Sequence, residues 1–154
     1  MSEHAMGKVA SGERGSPRRI GRSIGAVLAG MVASIALTLS TDEVLHLVRV
    51  YPPWGASMVG YEWTLLLATV YRTIYGILGS YIAARLAPRR PMLHAMVLGV
   101  LGFAVSILGA VATWNQGPAF GPHWYPVALV VLALPTAWAG GKLHAMHLLP
   151  GVDG

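Results

Sequence analysis

The chain has 154 residues, of which 55% are hydrophobic and 11% are charged, and its formal net charge is +5. A water-soluble domain of this length cannot bury so many apolar side chains in one core, so the composition excludes a soluble globular protein and indicates an integral membrane protein. The chain has no cysteine, which excludes disulfides, thiolate metal sites and cysteine nucleophiles.

Residues 1–22 form a basic segment that is rich in glycine, serine and arginine and lacks apolar periodicity. This composition predicts a disordered tail in the cytoplasm. Most of the other basic residues lie in short clusters beside apolar stretches, and they do not follow one soluble face. The net positive charge therefore indicates contact with anionic lipid, and nucleic acid is not expected as a partner.

Four apolar stretches follow the tail within residues 23–149. Each is long enough to cross a hydrocarbon layer of about 30 Å at about 1.5 Å per residue. Prolines and glycines lie in the breaks between them, where helices end. The predicted fold is an all-α, integral membrane four-helix bundle whose helices span about residues 24–50, 63–86, 92–114 and 125–147.

The charged and aromatic residues predict the orientation of the bundle. Basic loops resist translocation, so the basic residues before helix 1 and between helices 2 and 3 indicate that both termini lie in the cytoplasm. Aromatic rings favour the headgroup layer, and four of the five tryptophans cluster at the opposite ends of the helices, namely Trp54, Trp63, Trp114 and Trp124. We therefore expect a multi-pass protein of a bacterial inner membrane.

A competing interpretation treats helix 1 as a cleaved signal peptide. Ser34-Ile35-Ala36 resembles a cleavage site of small residues, and cleavage there would leave three spans and the same inner face. The apolar stretch continues past Ala36 without a helix breaker until Pro52, which favours an uncleaved span.

The chain order also suggests a weak parallel repeat of two helices. Helices 1 and 2 run in the same directions as helices 3 and 4, and the same sequence spacing separates Gly55 from Gly117 and Gly79 from Gly141. In so apolar a chain, few such matches exceed chance.

Small residues predict where the helices meet, because membrane helices associate through close packing and not through exclusion of apolar surface from water. Helix 3 presents small residues at steps of three and four, and helix 2 has a shorter set. The candidate packing residues are Gly99, Gly102, Ser106 and Gly109 on helix 3 and Gly76 and Ser80 on helix 2.

Arg72 is the main candidate for a functional residue, because it lies about 12 to 14 Å inside the outer end of helix 2. An unpaired charge at mid-helix costs about 2.5–3.5 kcal/mol on insertion scales. Asp42 and His46 share one face of helix 1, and Glu43 lies beside them. We expect Arg72 to pair with Asp42 or Glu43 near the outer face, in a polar network that includes His46 and that Tyr71, Tyr75 and Thr69 can complete. The pair either locks helix 1 to helix 2 or lines a polar cavity.

Three histidines lie near the predicted inner face. His94 and His144 belong to two copies of Leu-His-Ala-Met, and His147 follows the second copy. Histidine and methionine together can bind Cu(I), but neither copy includes a cysteine or an acidic residue. We therefore expect no metal and no cofactor. The common zinc-hydrolase, serine-hydrolase and nucleotide-loop motifs are missing from the sequence, so we do not expect an enzyme.

From Ser40 onward the chain resembles a group of small four-span bacterial inner-membrane proteins of uncharacterised function. The segments that carry the resemblance are Ser40-Thr41-Asp42, Tyr71-Arg72, residues 83–88, Ala112-Thr113-Trp114-Asn115 and residues 117–126. The resemblance implies four spans and brings no assigned activity. Small four-span multidrug transporters are less similar, because they carry a glutamate at mid-depth in helix 1, where this chain is uncharged.

These features predict a non-enzymatic membrane component that binds lipid, a partner membrane protein or a second copy of itself. The alternative is a homo-oligomeric carrier or channel for a small solute or ion. A membrane-embedded enzyme ranks third, because no nucleophile and base occur at a recognisable spacing.

Overall fold

The computed structural model describes residues 17–117 and 120–148. The described residues form four α-helices and no strand: α1 (Pro17–Leu47), α2 (Glu62–Leu86), α3 (Pro91–Thr113) and α4 (Trp124–His147). All four are long and apolar enough to cross a membrane. The predicted all-α four-helix membrane bundle is therefore confirmed.

Apolar side chains cover the outside of the bundle. Val32, Val105, Leu108 and Val111 are 60–71% exposed, and they belong to a surface too extensive and too apolar for a monomer in water. Small residues occupy much of the interior, where Ala83, Ala84, Ala95 and Ala137 are fully buried. This arrangement is typical of helices that pack through small residues and face lipid.

The helices alternate in direction, which gives the bundle two chemically different ends. The basic end carries the exposed arginines Arg18, Arg19, Arg22, Arg85, Arg89 and Arg90. The aromatic end comprises the loop between α1 and α2 and the loop between α3 and α4, with Trp54, Trp114 and Trp124.

Helices α2 and α4 pack side by side at the centre, with α1 against α2 and α3 against α4 and α2. Glycines allow the closest approaches. A Cβ on Gly79 would overlap Ser34 of α1, one on Gly99 would overlap Ala137 of α4, and one on Gly140 would overlap the backbone of α2. Gly76 and Ser80 also face α4, at Thr136 and Gly140 respectively.

Two close approaches between helices occur at positions that the spacing of the predicted repeat relates. Gly79 of α2 lies against Gly30 of α1, and Gly141 of α4 lies against Met92 of α3. Within each hairpin, the two helices therefore approach each other closely at positions that the repeat spacing relates. The repeat itself stays a prediction.

Helix α1 differs from its prediction at both ends. It begins at Pro17, so the prediction of disorder is wrong for residues 17–22; proline suits a first turn and arginine is a good helix former. Residues 1–16 lie outside the described part. The helix ends at Leu47, before Val50, because Arg49 adopts a left-handed φ of 60°. The amides of Arg49 and Val50 bond to the carbonyls of His46 and Leu45, which is a Schellman cap usually built on glycine.

The predicted packing along α3 is wrong at Gly102 and Gly109. No neighbouring atom lies within 4 Å of a Cβ built on either residue. The physical reason is that α1 and α3 make only a small contact, in which a Cβ on Gly30 would lie 3.0 Å from Leu98. Ser106 lies beyond that contact and lines a cleft instead.

Candidate functional site

Asp42 and Arg72 form the one salt bridge among the residues that the structure describes. Nη2 of Arg72 donates to Oδ2 of Asp42 at 2.7 Å, and the two side chains are 34% and 10% exposed respectively. The hydroxyl of Tyr71 donates to the other carboxylate oxygen. The buried carboxylate therefore has a donor on each oxygen, which offsets the cost of removing it from water.

Tyr51 extends this cluster from the loop that follows α1. Its hydroxyl lies 3.0 Å from the hydroxyl of Tyr71 and 3.3 Å from the carbonyl oxygen of Thr64, to which it donates. Burial raises the pKa of Tyr51 above its ordinary value of 10.0, because the phenolate would lose its hydration. Sequence reasoning did not include Tyr51 in the site, because a loop residue has no helical register that would place it.

Among the described residues, the other members of the predicted network form no hydrogen bond or salt bridge with Arg72. Nδ1 of His46 bonds to the backbone oxygen of Asp42 at 2.7 Å, and its ring stacks on Trp54 with centroids 3.8 Å apart. Tyr75 bonds to Thr41 at 2.9 Å. Glu43 is exposed. Of the two predicted partners, Arg72 thus pairs with Asp42.

A cleft of about 410 Å³ opens between α1 and α3, with α2 and α4 as its floor. Its lining is mainly apolar, and Arg72 is the one charged residue among the lining residues, which include Ser34, Leu39, Gly102, Ser106, Leu129 and Thr136. Pockets that hold small molecules range from about 300 to 1,000 Å³. The contact of Gly30 with Leu98 and Ala83 narrows the cleft toward the basic end.

Three of the hydroxyl side chains that line the cleft bond to carbonyl oxygens of the helix backbones. Ser34 bonds to the carbonyl oxygens of Gly30 and Tyr75, both at 3.0 Å. Thr73 donates to Thr69, and Thr136 donates to Ala133. The hydroxyl hydrogens of these three residues are already bonded, whereas Thr38, Ser80 and Ser106 also line the cleft. Because a charged donor forms stronger hydrogen bonds than a neutral hydroxyl, the guanidinium of Arg72 is the strongest donor available to a molecule in the cleft.

Arg72 carries more N–H donors than the described residues supply acceptors for. Its Nε–H is buried and has no hydrogen-bond acceptor among the described residues. A guanidinium carries five N–H donors, and Asp42 accepts at 2.7 Å from Nη2. Arg72 lines the cleft and its side chain is 34% exposed, so an acceptor in the cleft can approach a cation that has more N–H donors than acceptors.

The three histidines at the basic end have different surroundings. His94 and His144 are 9% and 8% exposed, whereas His147 is exposed and bonds to the hydroxyl of Tyr81 at 3.2 Å. The ring of His144 also packs edge-on against Tyr81. Within residues 17–117 and 120–148, no group of three or more metal-binding side chains is placed to hold an ion.

Comparison with known proteins adds no family assignment. No protein-family model matches the sequence, and no significant match was found among curated proteins or among solved structures. Function must therefore be inferred from the geometry and chemistry of the site.

Proposed function

We propose that this chain is a non-enzymatic protein of a bacterial inner membrane, and that it binds a lipid or another apolar molecule of the bilayer in the cleft between α1 and α3. The observation that carries this proposal is the cleft itself, which is mainly apolar, has a volume of about 410 Å³ and is bordered by lipid-facing helices. A molecule dissolved in the bilayer can enter such a cleft sideways, without crossing water.

The distribution of charge supports an orientation with both termini in the cytoplasm. Among the described residues, the basic end carries six exposed arginines, whereas Asp42, Glu43 and Glu62 lie toward the aromatic end. Arginine-rich ends stay on the side of synthesis.

Binding fits the lining of the cleft better than catalysis or transport. The lining residues include no carboxylate or imidazole to serve as a base, which a membrane-embedded enzyme would need. A homo-oligomeric carrier or channel would need a polar path, whereas the contact between Gly30 and Leu98 narrows this cleft toward the basic end.

The proposal is tested by filling the cleft from α3. Gly102 and Gly109 both have open space around a built Cβ, but only Gly102 is among the lining residues. Gly102→Leu places a leucine in the cleft, and Gly109→Leu is the matched control on the same helix. Membranes are equilibrated with a diazirine-bearing hexadecane and irradiated, and the labelled peptides are identified by mass spectrometry.

We expect saturable labelling near Leu39, Ser106 and Leu129 in the unchanged chain. Gly102→Leu should reduce this labelling at least about fivefold, because about 1 kcal/mol of lost binding is a factor of roughly five. Gly109→Leu should leave it unchanged. Labelling that does not saturate, or that is equal in the two variants, would remove the basis for a lipid-binding role.

A further inference from the structure

The position of Arg72 restricts what the cleft can bind, and this inference rests on the proposed function. Helix α2 begins at Glu62. Arg72 lies ten residues further along the chain, which is about 15 Å along the helix axis. Because the hydrocarbon layer is about 30 Å thick, the Cα of Arg72 lies near mid-depth. The other lining residues of α2 (Thr73, Gly76 and Ser80) lie deeper along the helix, so Arg72 borders the cleft on the side of the aromatic end.

The charges at this depth already balance. Asp42 accepts a hydrogen bond from Arg72 at 2.7 Å, and the lining holds no second charged residue. An anionic headgroup brought here would leave the site with a net negative charge in an apolar medium, where an unbalanced charge is costly. The balance of charge therefore favours an uncharged ligand.

The hydrogen bonds are less well balanced than the charges. The Nε–H of Arg72 is buried and has no acceptor among the described residues, whereas the side chain as a whole lines the cleft and is 34% exposed. The hydroxyls of Ser34, Thr73 and Thr136 are committed to backbone carbonyls. A ligand oxygen that accepts a hydrogen bond would therefore suit the unused N–H donors of Arg72. The apolar walls of the cleft would suit a hydrocarbon chain on either side of that oxygen.

We infer that the cleft binds an uncharged, elongated lipid-like molecule whose carbonyl oxygen accepts a hydrogen bond from the guanidinium of Arg72. Long-chain ketones, esters and quinones belong to this class. A hydrogen bond from a charged donor is among the stronger ones in proteins. The carbonyl compound should therefore bind in preference to a hydrocarbon of the same length.

The experiment compares three competitors of equal chain length against the diazirine-bearing hexadecane. Heptadecane has no polar group, dioctyl ketone has a carbonyl at mid-chain, and heptadecanoate has a carboxylate. Each is added to membranes that contain the full chain, and the mole fraction that halves the labelling of the cleft is measured. We expect the ketone to act at about a tenfold lower mole fraction than heptadecane. Heptadecanoate should be weaker than the ketone.

A double variant tests whether Arg72 causes the preference. Asp42→Asn together with Arg72→Met removes both charges, so neither is left unpaired in the bundle. The ratio between ketone and heptadecane should fall to about one. The exposed pair Glu43→Gln with Arg49→Met makes the same change in charge outside the cleft and should keep the ratio. Because the ratio compares two competitors on one protein, the amount of folded protein does not affect it.

The outcomes separate this inference from the proposed function. Saturable labelling with equal potency of ketone and heptadecane, strongest displacement by heptadecanoate, or an unchanged ratio in the double variant would overturn the carbonyl inference and leave lipid binding intact. If the unchanged chain shows no saturable labelling of the cleft, both proposals fail.

Discussion

Asp42 of α1 and Arg72 of α2 join their helices at 2.7 Å, well away from the glycine contact that joins the same helices at Gly30 and Gly79. The glycine contact brings the two backbones together, whereas the salt bridge places a large side chain between them. Helix α1 is thus held at two levels with different spacing. Because α3 packs mainly against α4 and makes a smaller contact with α1, which includes Leu98 at Gly30, the cleft remains open beside the side chain of Arg72.

Removing the carboxylate of Asp42 should lower the stability of the fold, because the salt bridge with Arg72 is lost. Asp42→Asn leaves the guanidinium of Arg72 without its counter-charge and weakens the bond from Tyr71. Because Arg72 is one-third exposed, we expect a loss of about 2 kcal/mol, which is less than for a fully buried pair. The measurement is the free energy of unfolding in mild detergent. Glu43→Gln, at the exposed neighbouring position, should change it by less than about 0.5 kcal/mol.

A single methyl group at Gly79 should separate α1 from α2. A Cβ at this position would overlap Ser34 and lie 2.6 Å from the carbonyl oxygen of Gly30. Gly79→Ala should therefore cost about 1–3 kcal/mol despite the better helix propensity of alanine. Gly102→Ala, where the space is open, should be neutral or slightly stabilising. Equal thermal unfolding midpoints for the two variants would contradict the close approach.

The sequence predicts the helices well because each forms a long apolar run bounded by polar or proline-containing segments. Helices α2, α3 and α4 each begin and end within one residue of the predicted boundaries. The contact of Arg72 with Asp42 was also predictable, since helical periodicity places Asp42 on a polar face and a charge at mid-depth needs a partner. Both inferences depend on local sequence and on the cost of charge in lipid.

The cleft and Tyr51 were not predictable by the same means. The small residues of α3 indicate a smooth surface at Gly102 and Gly109, but they do not determine whether another helix covers it. That depends on how far apart α1 and α3 lie, which is decided by the packing of α1 against α2 and of α3 against α4 and α2. Tyr51 reaches Tyr71 because the left-handed Arg49 turns the chain back, and an arginine does not signal such a turn.

Tyr51 should make the stability of the protein sensitive to alkaline pH. Burial raises the pKa of its phenol above the ordinary value of 10.0, so the stabilisation is fully present below about pH 10 and is lost as the pH rises toward the folded-state pKa. Tyr51→Phe should be less stable by about 1 kcal/mol at neutral pH and should lose less on titration from about pH 9 to about pH 12. The readout is the thermal unfolding midpoint.

Tyr61→Phe serves as the control for this titration. Tyr61 lies in the same loop and is 39% exposed. This variant should show the same alkaline loss as the unchanged chain. If Tyr51→Phe and Tyr61→Phe titrate alike, the burial of Tyr51 does not contribute to the pH dependence.

Arg49 should be a site at which glycine stabilises the protein. Its φ of 60° lies in the left-handed region, which costs a residue with a Cβ about 1–2 kcal/mol. Arg49→Gly should raise the free energy of unfolding by about 1 kcal/mol, whereas Arg49→Val should lower it, because a β-branched residue tolerates this conformation least. Arg89→Gly is the matched control, since Arg89 is also an exposed arginine of a loop but does not have a positive φ. No gain at Arg49 relative to Arg89 would contradict the capping geometry.

Reporter fusions test the proposed orientation of the bundle. Alkaline phosphatase, which is active only outside the cytoplasm, should be active when inserted at Gln116 in the α3–α4 loop and inactive after Leu148. Positive residues near the spans determine orientation, so reversing the bundle in the membrane should require the removal of positive charge from the basic end. Changing Arg85, Arg89 and Arg90 together to Gln, with Lys residues added at Gln116, should therefore reduce the activity of the Gln116 fusion several-fold. Changing Glu43 and Glu62 to Gln should have little effect, since acidic residues contribute little to topology. High activity of the fusion after Leu148 would reverse the orientation and place the basic end outside the cell.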